Sequence, residues 1–120
     1  MHGQEYRLAV RNKVWLDRGR RFALGDGGVD LLRAIDATGS VRAAALRVGW
    51  SYRHALAYIT NAERAFGHPL VRRERGGNDR GGAELTPAGR DFVRRYTHFR
   101  QRLAREVRRL YRATFQGRAP

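Results

Sequence analysis

The side chains in this 120-residue sequence that could do chemistry are guanidinium groups, not nucleophiles or metal ligands. Cysteine is absent, so no thiolate nucleophile, thiolate metal site or disulfide frame can be built. His2, His54, His68 and His98 are scattered, not set at helical pair spacing, and no two carboxylates are placed to share a pocket. A metal-sensing use of His54 or His98 stays open beside the commoner reading of scattered histidines as surface or core residues. The expectation is a protein that is not an enzyme and carries no cofactor or metal. Lysine and arginine number 25 against 11 acidic residues, a formal charge of +14 that attracts polyanions.

Two clusters place those cations beside groups able to read a duplex. Ser51, Tyr52, Arg53 and His54 lie at the start of a helical pattern, with Ala57 and Asn61 on the same outward face. Arg53 carries the fork that fits a guanine edge, and Ala57 is small enough to admit a thymine methyl. For each residue a solvated surface position or a phosphate contact is the alternative, since most contacts go to the backbone. Arg72, Arg73, Arg75 and Arg80 form the second cluster, flanking or within a glycine-rich run, and suit phosphates or a minor groove. That run lacks a following Lys-Ser/Thr pair and opens no helix, which excludes a phosphate-binding nucleotide loop.

These residues need elements to present them. Lys13 to Leu16 and Arg21 to Leu24 are β-prone runs around a turn at Gly19, a hairpin within about residues 6–24, and Gly25 to Gly28 is expected to break the chain. Val29, Leu31, Leu32 and Ile35 form one helical stripe ending at Gly39. Ser40 caps a helix from Val41 to Val48, and Ser51 caps another from Tyr52 to Phe66, closed by Gly67. Ala44 and Ala45 leave room for two helices to cross closely, and Gly49 supplies the turn: the spacing of a helix-turn-helix over residues 40–67, with an ordinary helical hairpin as the alternative. On the second helix Ile59 centres the buried face, with Ala55, Ala62 and Phe66 close to it, so Arg53, His54, Ala57, Asn61 and Arg64 point away. Leu70 to Arg75 and Ala83 to Thr86 are the strands of a wing, residues 70–86.

Thr86 caps and Pro87 begins a last helix reaching about Phe115. Phe92, Tyr96, Phe99, Leu103 and Leu110 recur as a coiled-coil-like seam, with Val107 beside it. The economical partner for such a stripe is the same helix of a second chain, although packing back on its own domain competes, above all around Phe92 to Phe99. Residues 87–120 hold ten arginines against Asp91 and Glu106, a solvated face with a weaker second use in nonspecific DNA contact.

The segments GSVRAAA, GWSYRHA, HPLVRRERGG and GGAELTPAGRDFVRRY, with KVWLDRGRRFALGDG ahead of them, carry a resemblance. Together they resemble the N-terminal winged helix-turn-helix domain of the molybdate-responsive (ModE) regulators, relatives of the LysR-type DNA-binding domain. The chain departs from the pattern at Asn78-Asp79-Arg80 in the wing tip and is expected to lack the molybdate-binding module. The resemblance implies a mainly α fold with small β content (α+β). Its parts are a winged helix-turn-helix over residues 1–86, including the hairpin, and a long C-terminal dimerisation helix and short tail over 87–120. It implies a bacterial, cytoplasmic, homodimeric transcription regulator that binds double-stranded DNA at an inverted repeat and has no membrane span. Two other readings stand beside it: a low-specificity architectural DNA-binding protein, and a protein-interaction module using the last helix.

Overall fold

The computed structural model of the chain describes residues 8–74 and 82–116. Strands β1 (Trp15–Arg18) and β2 (Arg21–Gly25) pair antiparallel around Gly19, the turn position expected. Residues 8–14, within the expected hairpin region, form no strand.

Contrary to expectation, β2 passes straight into α1 (Asp26–Thr38), with Gly25 as its extended N-cap. The glycines there serve close packing, not a chain break. A Cβ on Gly28 would overlap the Tyr58 ring, and the Gly25 amide donates to the Tyr58 hydroxyl at 2.9 Å.

The tandem helices α2 (Val41–Val48) and α3 (Tyr52–Phe66) have the expected bounds. Ser40 Oγ accepts the Ala43 amide at 3.0 Å, and Ser51 Oγ accepts the His54 amide at 3.0 Å. Each such cap contributes about 1 kcal/mol. Gly49, at φ +80°, turns the chain between them in the left-handed region. Ala44 and Ala45 are buried, and α2 packs more extensively on α1 than on α3, so the small side chains admit α2 to both neighbours.

The short strands β3 (Val71–Arg73) and β4 (Ala83–Leu85) pair antiparallel, with Arg72 opposite Glu84. The Glu63 carboxylate accepts the amides of Leu70 and Val71 at 2.7 and 3.1 Å, fastening the start of the wing to α3. The Ala83 amide donates to Gly39 O at 2.8 Å and fastens the return strand to the end of α1.

Helix α4 (Pro87–Tyr111) follows, then a π-helical turn at Arg112–Gln116. Thr86 Oγ1 accepts the Gly89 amide at 3.0 Å, the Thr86 amide donates to Leu70 O at 2.9 Å, and a Cβ on Gly89 would overlap that same carbonyl oxygen. Leu-Thr-Pro-x-Gly is therefore a packing rule: cap, helix start, close backbone approach.

The core gathers Leu24, Leu31, Ile35 and Leu70, all fully buried, with residues of α2, α3 and β4 and with Tyr96 of α4. Burying such a side chain is worth about 1.5–3 kcal/mol. The radius of gyration, 18.7 Å, exceeds the ~14 Å of a compact domain of this length. The long axis, 68 Å, reflects α4, a rod of ~37 Å at 1.5 Å per residue. Among the described residues no helix is long and apolar enough to cross a membrane.

Candidate nucleic-acid interface

The turn that separates α2 from α3 also builds the support for the outer face of α3. The Trp50 amide donates to Ala45 O at 2.9 Å, which closes α2 and turns the indole toward α3. Its ring lies 4.3 Å from that of His54 and 5.1 Å from that of Tyr58, and Tyr58 meets Phe22 of β2 edge-on at 5.9 Å. Residues 50, 54 and 58 are one helical turn apart, so the ladder holds the first two turns of α3 in place. Burial pushes the Tyr58 phenol up, which keeps it neutral as a packing group.

On this scaffold Ser51, Arg53, His54, Ala57, Asn61 and Arg64 are exposed, while Ala55, Ile59, Ala62 and Ala65 are buried. The structure thus places Arg53, His54, Ala57 and Asn61 of the expected set on the exposed face of α3, but not Tyr52. Two carry prior commitments: the Ser51 hydroxyl caps the helix, and His54 rests on Trp50. Tyr52 is half-buried, with the Arg42 guanidinium 4.2 Å from its ring centroid.

Other residues of this surface were not identified from the sequence. Arg21 and Phe22 of β2 line a shallow cleft with Asn61 and Arg64, extending the basic face beyond α3. Arg18 donates to Phe66 O at 2.6 Å and Ala65 O at 3.2 Å, capping the negative end of α3 with a cation. The hairpin is therefore a brace for the helix. The aromatic spacing at 50, 54 and 58 was a usable signal for Trp50 and Tyr58; Arg18, Arg21 and Arg42 join through contacts that no local pattern announces.

In the wing, Arg72 pairs with Glu84 across the strands at 2.8 Å, both side chains exposed, whereas Arg73 is exposed and forms no ion pair among the described residues. Arg75 and Arg80 lie outside the described residues. No group of three histidine, aspartate or glutamate side chains among the described residues could hold a metal ion.

On α4, Phe92 packs on Phe66 at 4.9 Å and Tyr96 is only 4% exposed, so both are engaged by their own domain. Leu103 and Val107 are half-buried, while Phe99 and Leu110 are 46% and 65% exposed. The open part of the expected seam is its outer half. The opposite side of the helix is arginine, with Arg90, Arg105 and Arg108 exposed and without ion-pair partners among the described residues.

Residues 28–90 match the family described as bacterial regulatory helix-turn-helix protein, lysR family. The chain is 41% identical over 73 residues to the molybdenum-pterin-binding protein MopB of Rhodobacter capsulatus, covering 61% of this chain and 27% of that one. It is 38% identical over 84 residues to the molybdenum transport protein ModE of Azotobacter vinelandii, covering 70% and 31%. It thus spans less than a third of the length of either relative. Its fold is similar to that of a CbnR_DBD–DNA complex, with TM-score 0.58 and 25% identity over 72% of this chain and 94% of that one. It is also similar in fold to ArgP from Mycobacterium tuberculosis, with TM-score 0.55 and 22% identity over 71% and 30%.

Proposed function

Because the chain belongs to the lysR family of bacterial regulatory helix-turn-helix proteins, we propose that it is a DNA-binding transcription regulator that reads duplex DNA with the outer face of α3. The observation that carries this reading is the exposed row Arg53, His54, Ala57 and Asn61, standing on a buried alanine and isoleucine face and braced by Trp50 and the hairpin. The CbnR_DBD chain of similar fold was solved with DNA, which supports the same partner here. The family is one of regulators, not enzymes.

Arg53 is the leading base reader, Arg21 and Arg42 add phosphate contacts beside it, and Arg73 leads the wing's contact with the backbone or minor groove. Arg72 contributes less, since Glu84 already pairs with it. The protein acts as a homodimer through Phe99, Leu103, Val107 and Leu110 of α4. Two α3 helices then enter successive major grooves about 34–36 Å apart, on an inverted repeat. A cytoplasmic location follows from that partner.

The test is a titration against random and promoter duplexes at two salt concentrations. Preference for one promoter duplex that survives the higher salt supports the reading. Equal affinity for both duplexes at each salt would assign an architectural role, and no binding at low salt would leave a protein-interaction module.

A further inference from the structure

Asp26 opens α1, yet its carboxylate is engaged by α4 and by the segment before β1. Arg100 Nε donates to Asp26 Oδ1 at 3.0 Å and Arg100 Nη2 to Oδ2 at 2.9 Å, a two-point fork. The Tyr96 hydroxyl donates to Asp26 Oδ1 and also lies 3.1 Å from Val14 O, and the Val14 amide donates to Asp26 Oδ2 at 3.2 Å. On its far side Arg100 donates from Nη2 to Asn12 O at 3.0 Å and from Nη1 to Asn12 Oδ1. Three stretches of chain far apart in sequence thus meet at one carboxylate.

An ion pair with side chains 24% and 36% exposed is worth little as a fold anchor. What it supplies is direction, because a planar fork on a carboxylate fixes angle as well as distance. Its position makes direction matter. Beyond Arg100, α4 is tied back to the segment 8–14 through the Tyr111 hydroxyl, which donates to Leu8 O at 2.9 Å. The remaining eleven residues of α4 form a lever of about 17 Å. A 10° error at Arg100 moves its tip by about 3 Å, close to the rise of one base pair. Phe99 and Leu103 of the open seam stand beside Arg100 on the same rigid helix, so head and dimer partner are held on adjoining sides of one rod.

We propose that Asp26 and Arg100, with Tyr96 and Asn12, are positioning residues that fix the angle between the DNA-reading head and α4 and thereby set which half-site spacing a dimer accepts. The proposal rests on the dimeric reading above and concerns the geometry of the same site. It is tested with the full 120-residue chain on a panel of inverted repeats whose centre-to-centre spacing changes one base pair at a time, beside a single half-site and a measurement of mass in solution. Wild type is expected to favour one spacing by at least about tenfold, the avidity of simultaneous contact. Arg100→Ala and Asp26→Asn are expected to flatten that profile to within about threefold while half-site affinity stays within about twofold. Arg100→Lys, which keeps the charge and loses the fork, should flatten it nearly as far. If Arg100→Ala fails to fold, Asn12→Ala removes only one exposed partner of the same guanidinium, Oδ1, and should broaden the profile in the same direction. A dimeric variant that keeps the wild-type profile and loses affinity equally at every spacing would overturn the clamp while leaving the dimer intact. A monomeric wild type would overturn the dimer reading itself.

Discussion

Arg53 and Arg73 are both exposed arginines, and only their settings distinguish them. Arg53 projects from the first turn of a capped, aromatic-braced helix, where a fork can be held against a base edge, whereas Arg73 lies at the end of a three-residue strand. Arg53→Ala should cost about 1–3 kcal/mol on the preferred site and relax preference at one base position. Arg73→Ala should weaken all duplexes alike and lower the slope of log affinity against log salt by about 1. Competition binding against single-base variants at several salt concentrations separates the two; equal losses on every duplex from both variants would remove Arg53 as a reader. The outward set on α3 was legible because 100° per residue sorts a fifteen-residue helix without further information. The Arg42 guanidinium over Tyr52 and the Arg21 cleft were not, because they depend on how two elements meet.

At the scale of elements, the caps were the most readable feature. Ser40, Ser51 and Thr86 each accept an amide three residues on, as a local code should. The start of α1 is hidden in the sequence because glycines at 25, 27 and 28 look like a break, and the reason for one of them, the Tyr58 ring, arrives from 30 residues away. The tie between Asp26 and Arg100 spans 74 residues and left no local trace. Gly89 illustrates the middle case, a motif glycine whose role appears only once Leu70 O is seen against it. Gly89→Ala should destabilise the fold by about 1–3 kcal/mol in a denaturant melt, since the obstructing atom is backbone. The joint at α4 should also respond to pH. Arg100, opposed by burial, holds the Asp26 carboxyl below its usual range, so its contribution is full above about pH 4 and is lost as pH falls through the lowered value. Burial, then the Asp26 hydrogen bond, raises the Tyr96 phenol, so that contribution is full below about pH 10 and declines above it. The melting-temperature difference between wild type and Asp26→Asn should therefore be largest near neutrality and close in acid; a gap independent of pH would contradict the assignment.

The whole molecule is a small winged-helix head on a rod, with a basic surface at the head and an apolar strip left open on the outer half of α4. Residues 87–120 hold ten arginines, which would repel across a dimer seam unless they face outward, and Arg90, Arg105 and Arg108 do lie opposite the strip by helical spacing. Leu103→Asp should yield a monomer by sedimentation that melts within about 1 kcal/mol of wild type, since Leu103 is only half-buried in one chain. That monomer should bind single half-sites and lose the gain from pairing them; a dimer that persists would place the interface elsewhere. Dimer geometry and half-site spacing matter only if the outer face of α3 chooses bases. Selection of bound duplexes from a randomised pool tests that choice most directly, with wild type and Arg53→Ala run side by side. Wild type is expected to enrich an inverted repeat, and the variant to lose at least one specified position in each half. A pool that emerges unenriched, or the same motif from both proteins, would contradict base choice by α3.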